Sequence, residues 1–108
     1  MQGDAVFNGV FKLREGVTEE EFLPTLIAFY EHFIERGFAI GYRILRREEL
    51  AGFGKTLPEF SYRGELIYSD LQIEKSAYEY VKQNDEPVRS LHRAMNSQVQ
   101  RGADFFLV

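Results

Sequence analysis

Apolar and polar residues alternate over positions 6–13. Phe7, Gly9, Phe11 and Leu13 fall on one side, and Val6, Asn8, Val10 and Lys12 on the other. A period of two is the spacing of a half-buried strand. Thr18 then opens a helix. With Glu21 it fits a T-x-x-E capping box, and Glu19 and Glu20 suit the positive end of the helix dipole. Apolar residues at 22, 23, 26, 27, 29, 30, 33 and 34 make one broad helical face, and Gly37 after Arg36 marks the stop. Pro24 lies past the first turn, where it predicts a kink or a later helix start.

Alternation returns over 38–46, with Phe38, Ile40, Tyr42 and Ile44 against Ala39, Gly41, Arg43 and Leu45. The charged and then Gly-rich stretch 47–59, closing at Pro58, reads as a loop with a helical turn at 47–50. A third strand is predicted over 60–68, with Phe60, Tyr62, Leu66 and Tyr68 opposed to Ser61, Arg63, Glu65 and Ile67. Ser69 and Gln72 suggest a second capping box for a helix running to about Gln83. Residues 84–87 interrupt it, and Pro87 suits the first position of a new helix. That helix carries the stripe Val88, Leu91, His92, Met95 and Val99 and ends at Gly102, before a last short strand over 104–108.

The order is β-α-β-β-α-β in a single domain spanning 1–108. It predicts an α+β, ferredoxin-like fold: a four-stranded antiparallel sheet with two helical crossovers on one face. The helices should cover the aromatic side, formed by Phe7, Phe11, Phe38, Ile40, Tyr42, Phe60, Tyr62, Leu66 and Tyr68. The other side mixes Val6, Val10, Leu45, Ile67 and one of Phe105 or Leu107 with Asn8, Arg43, Arg63 and Glu65. Such a face is explained by a homodimer in which two sheets close on each other, or by a solvated sheet with scattered apolar residues.

Composition narrows the classes. The 108 residues carry 13 Lys and Arg against 17 Asp and Glu, a formal charge of −4, which argues against a nucleic-acid partner. With no Cys there is no disulfide, thiol nucleophile or thiolate zinc site, and two His leave few ligands for any metal. No apolar run is long enough to span a membrane, and Met1 to Asp4 shows no export signal, so a cytoplasmic protein is expected.

Candidate chemistry centres on His92, in the middle of its apolar stripe and expected to point at the sheet, with Tyr hydroxyls as its partners. It is either a hydrogen-bonded core histidine or a general acid/base in a pocket. Six Tyr and ten Phe are many for this length, and some of the Tyr, among them Tyr30, Tyr42 and Tyr62, are expected to line a cavity. Gly9 and Gly64 leave gaps on the aromatic face that either a flat ligand or a ring from a helix would fill. Arg43 and Arg63 beside Glu65 read as cross-strand ion pairs or as an anion site. Gly54-Lys55-Thr56 is not a phosphate loop, because position 49 is Glu where that motif needs Gly. The segment 51–58 reads as a mobile loop able to gate a pocket, and His32 as a solvated residue on the polar side of the first helix. No metal site and no nucleophilic triad is assembled.

Three stretches, "VFKLREGVTEEEF", "AYEYVKQNDEPVRSLHRAM" and "ADFFLV", resemble the dimeric α/β-barrel superfamily, in particular its small stress-responsive A/B-barrel proteins. The resemblance implies a homodimer whose sheets build a shared barrel, with a small-molecule pocket between sheet and helices. Activities in that superfamily include cofactor-independent monooxygenases, haem-degrading enzymes, isomerases and a polyketide cyclase. By the resemblance, Tyr80 stands at the cyclase's Tyr position. The cyclase's His position falls on Arg89, with His92 one turn later. Asn8 matches the monooxygenases' early-strand Asn, but the chain has no Trp. The haem-degrading members hold iron through a His in the region of His92. Two functions follow. One is a cofactor-independent enzyme acting on an aromatic or polyketide-like molecule, a cyclase, isomerase or monooxygenase. In it, His92 and Tyr80 handle protons, Arg89 steadies an anionic group, and Asn8 assists from the sheet. The other is a non-catalytic ligand-binding or stress-related dimeric module.

Overall fold

The computed structural model describes residues 4–48, 61–100 and 104–107. Seven elements run in the order β1 (Ala5–Phe11), α1 (Glu19–Glu35), β2 (Ala39–Arg46), β3 (Tyr62–Tyr68), α2 (Leu71–Lys82), α3 (Val88–Gln98) and β4 (Asp104–Leu107). The strands pair antiparallel in the order β2-β3-β1-β4, so β1 and β3 are central. The expected loop at 51–58, together with Phe60, Gly102 and Val108, lies outside the described residues.

Local chemistry accounts for most boundaries. The Thr18 hydroxyl accepts from the Glu21 amide at 3.2 Å, and three glutamates fill the first turn of α1. Pro24 sits inside α1 and does not move its start. It removes only the amide that would bond the carbonyl of exposed Glu20, which water can reach. Gly37, at φ +81°, supplies the left-handed residue that ends the helix. At α2 the cap differs from the expected Ser69–Gln72 box: Asp70 accepts from the Ile73 amide at 2.9 Å, since its carboxylate sits one residue nearer the third amide. Asn84, at φ 56°, breaks the chain after α2. Pro87 stands just before α3 rather than at its first position. The first turn of α3 is closed instead by Glu86, whose carboxylate accepts from the Ser90 amide at 2.8 Å and its hydroxyl at 2.6 Å.

All three helices lie on one face of the sheet. Phe22, Leu26, Phe29, Tyr30 and Phe33 of α1 are buried there with Phe11, Tyr62, Leu66 and Tyr68 of the sheet. Each fully buried ring or branched side chain of this kind contributes about 1.5–3 kcal/mol. Two side assignments differ from the alternation. In β2 the pairing slips between Ala39 and Gly41, so three residues of β2 oppose two of β3. Ala39 therefore faces the helices, and Ile40, expected inside, is 60% exposed. In β4, Phe105 and Leu107 pair with Gly9 and Phe7 and so share the helix-facing side, where Phe105 stacks on Phe7 with centroids 5.6 Å apart. They are not on the outer face, as expected from the sequence.

Gly9 and Gly64 are cross-strand partners at the middle of the two central strands. A side chain on Gly64 would run into the Tyr30 hydroxyl, and one on Gly9 would meet the tip of Phe11 at 2.6 Å. The gaps are thus filled by the protein's own rings. Gly64→Ala is expected to cost about 1–3 kcal/mol through displacement of Tyr30. Gly41→Ala, with open space where its Cβ would go, should cost far less. Urea unfolding of both variants checks the difference.

Candidate functional site

Rings do not close all the space between the helices and the sheet. A cavity of about 330 Å³ remains, at the small end of the range for small-molecule sites. Its floor is Phe7, Phe11, Leu66 and Tyr68 of the sheet. Its walls are Leu26, Phe29, Tyr30 and Phe33 of α1 and Glu74, Ala77 and Val81 of α2, with His92 and Met95 of α3 opposite. Tyr78, Lys82 and Phe105, of which Tyr78 is 58% exposed, also line it and stand at its mouth.

Six titratable side chains line this chamber: exposed Tyr78 and Lys82, and the more buried His92, Tyr30, Tyr68 and Glu74. His92 packs its ring, tilted by 33°, against Phe29 with centroids 5.7 Å apart, and its nitrogens lie 3.4–3.5 Å from the Asn96 side-chain amide. Its partner is thus its own helix neighbour, not a Tyr of the sheet. Burial holds the imidazole below its ordinary pKa, so it is neutral. Tyr30 and Tyr68 are buried. Burial pushes both phenols well above the ordinary range, with Tyr68 and Glu65 adding to the effect on Tyr30 and Glu74 adding to that on Tyr68. Glu74 is only 8% exposed, and burial raises its carboxyl above the usual range, against a smaller pull from Lys75. Neither the Glu74 carboxylate nor the Tyr30 and Tyr68 hydroxyls have a hydrogen-bond or ion-pair partner among the described residues.

Of the candidates read from the sequence, His92 and Tyr30 reach this cavity and five do not. Tyr80 turns to the other side of α2, where it shares a 2.7 Å hydrogen bond with His32 and lies under the Arg36 guanidinium. His32 is therefore half-buried and paired rather than solvated; burial, then Arg36, lower its pKa. Tyr42 and Tyr62 point to the edge, donating to Glu31 at 3.3 Å and Glu19 at 2.9 Å. Arg89 is exposed and lies 3.7 Å from Glu86. Asn8 is fully buried on the outer face, because alternation along β1 points it away from the helices. There its Oδ1 accepts from Arg63 at 2.7 and 3.1 Å, and its Nδ2 donates to the Val6 carbonyl. Arg63 and Arg43 both reach Glu65, at 3.4 and 2.9 Å, as cross-strand ion pairs.

The sequence reading missed Glu74. A signal for it exists: Glu74, Ala77, Tyr78 and Val81 recur at helical spacing, which puts the acid on the stripe facing the sheet. Among the described residues no group of three or more His, Cys, Asp or Glu is arranged to hold a metal, and no helix is long and apolar enough to cross a membrane.

In fold, the chain is similar to ferredoxin-like proteins of known structure. The chain belongs to the family of unknown function DUF6614, whose model matches residues 5–107. Among solved structures it resembles SnoaB, a cofactor-independent oxygenase from Streptomyces nogalater, at TM-score 0.69 and 12% identity over 98% of this chain and 91% of that one. It also resembles a hydroxynitrile lyase from Passiflora edulis at TM-score 0.69 and 6% identity, covering 100% and 94%. A dimeric ferredoxin-like protein of unknown function from Thermobifida fusca matches at TM-score 0.63 and 10% identity, covering 100% and 92%. No curated protein sequence matches the chain.

Two stability effects follow from the buried ionisable groups. The folded Glu74 has its pKa raised, so the chain gains stability from it only at low pH and loses that gain as pH rises above 4.5. Glu74→Gln should therefore be more stable than the parent at pH 7, by about 1 kcal/mol, with the difference vanishing in acid. His32 and His92 have lowered pKa values, so the unfolded chain takes up protons first below 6.5. Stability should fall on acidification from neutral pH toward the folded pKa values, and less steeply in the His32→Gln, His92→Gln double variant. Urea unfolding across pH measures both.

Proposed function

We propose that this chain is a cytoplasmic homodimer that binds a flat, largely apolar small molecule between its helices and sheet and acts on it by cofactor-independent acid–base chemistry. The observation that carries this reading is the cavity itself: an aromatic chamber into which a neutral imidazole, a buried carboxyl and two phenols converge, most of them without a partner among the described residues. Groups kept at shifted pKa values in a concave apolar site are what proton transfer requires. The similarity in fold to a cofactor-independent oxygenase supports chemistry without a resident cofactor.

The dimer is supported from the opposite side of the sheet. Val6, Val10, Ile67, Leu45 and Ile40 share the outer surface with the Arg63–Asn8–Glu65–Arg43 network. An apolar sheet face carrying ordered, mutually paired charges suits a second copy better than open water. Similar structures from Thermobifida fusca and Bacteroides fragilis are dimeric. Native mass spectrometry of gently purified protein should give twice the 12.6 kDa chain mass plus a constant increment from a retained ligand. A monomer would overturn the dimer, and a bare dimer that also takes up no added 2-naphthol would overturn the pocket.

A further inference from the structure

The polar groups of the cavity specify more than a shape. The Tyr30 and Tyr68 hydroxyls have no acceptor among the described residues, and the Glu74 carboxylate has no donor. All three line the same cavity, where the Tyr30 phenol feels Tyr68 and the Tyr68 phenol feels the Glu74 carboxylate. Two hydroxyls call for a guest with an acceptor oxygen. The carboxylate calls for a guest with a proton to give close to that oxygen. The remaining lining, mostly Phe, Leu and Met, calls for a flat apolar body. A cyclic or aryl-fused ketone, with acidic hydrogens on the carbon next to its carbonyl, meets all three conditions. A simple ammonium ion would satisfy the acid but leave both hydroxyls without an acceptor.

We propose that Glu74 is a catalytic base that removes a proton from the carbon adjacent to a substrate carbonyl, while Tyr30 and Tyr68 donate hydrogen bonds to the oxygen that becomes an enolate. The C–H bond breaks, its electron pair moves into the C–C bond, and the carbonyl π pair moves onto oxygen. The proton then sits on the Glu74 carboxyl. Return of a proton to carbon from that carboxyl regenerates the ketone or its double-bond isomer, so nothing is oxidised and no co-reactant is needed. Burial keeps both phenols protonated as donors and makes the carboxylate a stronger base.

This inference rests on the reading of the cavity as a small-molecule acid–base site, and the test separates the two. The probes are 2-tetralone, whose exchange of α-hydrogens in deuterium oxide is followed by proton NMR, and 2-naphthol, a flat enol mimic whose binding is followed by fluorescence. The parent protein should bind 2-naphthol and accelerate exchange in 2-tetralone. Glu74→Gln should still bind 2-naphthol but lose about 100-fold or more of the exchange rate. Glu74→Asp should recover part of it. Tyr30→Phe and Tyr68→Phe should each lose roughly 10- to 100-fold in exchange and weaken 2-naphthol binding. Binding of 2-naphthol without accelerated exchange, or exchange untouched by Glu74→Gln, overturns the role of Glu74 and leaves the pocket standing. No binding of 2-naphthol overturns both.

Discussion

Gly9 faces Gly64 across the two central strands, and the space above that pair organises the molecule. Any side chain at either position would occupy the volume now taken by Tyr30 or by Phe11 and Phe105. Because Gly64 has none, α1 can bring the Tyr30 ring down until its hydroxyl rests on the sheet backbone. That descent fixes the height of α1, and α3 packs on α1 in turn. The cavity is what remains beside the descended ring. Its volume and its phenol therefore have the same origin, a missing pair of side chains at the centre of the sheet.

A buried phenol brought in this way has to be tolerated energetically. A packed aromatic core gains from each ring it buries, whereas each unmatched hydroxyl or carboxyl costs free energy on desolvation. Tyr42, Tyr62 and Tyr80 avoid that cost by reaching Glu31, Glu19 and His32. Tyr30, Tyr68 and Glu74 do not. All three border one chamber, the place where a guest would supply the missing partners.

Much of this was legible in the residues. The strand alternation of β1 and β3, the Thr18 cap and the break at 84–87 all carried their own local physics, and the element order followed. Failures came where a local pattern depends on a distant partner. Ile40 faces solvent because β2 bulges against β3, which nothing in the run 38–46 announces. The side taken by Phe105 depends on the register of β4 against β1, and an unbroken apolar run has no alternation to read. His32 looked solvated because its helix face is polar, yet Tyr80 arrives from α2 to cover it. At the site, the helical stripe of α3 leads to His92, and Glu74 stands on the equivalent stripe of α2. An acid on a buried face runs against the usual preference for apolar residues there, and that departure is itself the signal.

The two faces of the sheet are coupled through the strands they share. Along β3, Arg63, Glu65 and Ile67 point outward while Leu66 and Tyr68 point into the chamber. A slip of one residue would exchange the two sets, so the ion pairs that lock Arg63 and Arg43 to Glu65 outside also fix which groups stand inside. The link is electrostatic as well as steric. Glu65 lies on the outer face, yet its charge helps hold the Tyr30 phenol protonated on the inner one.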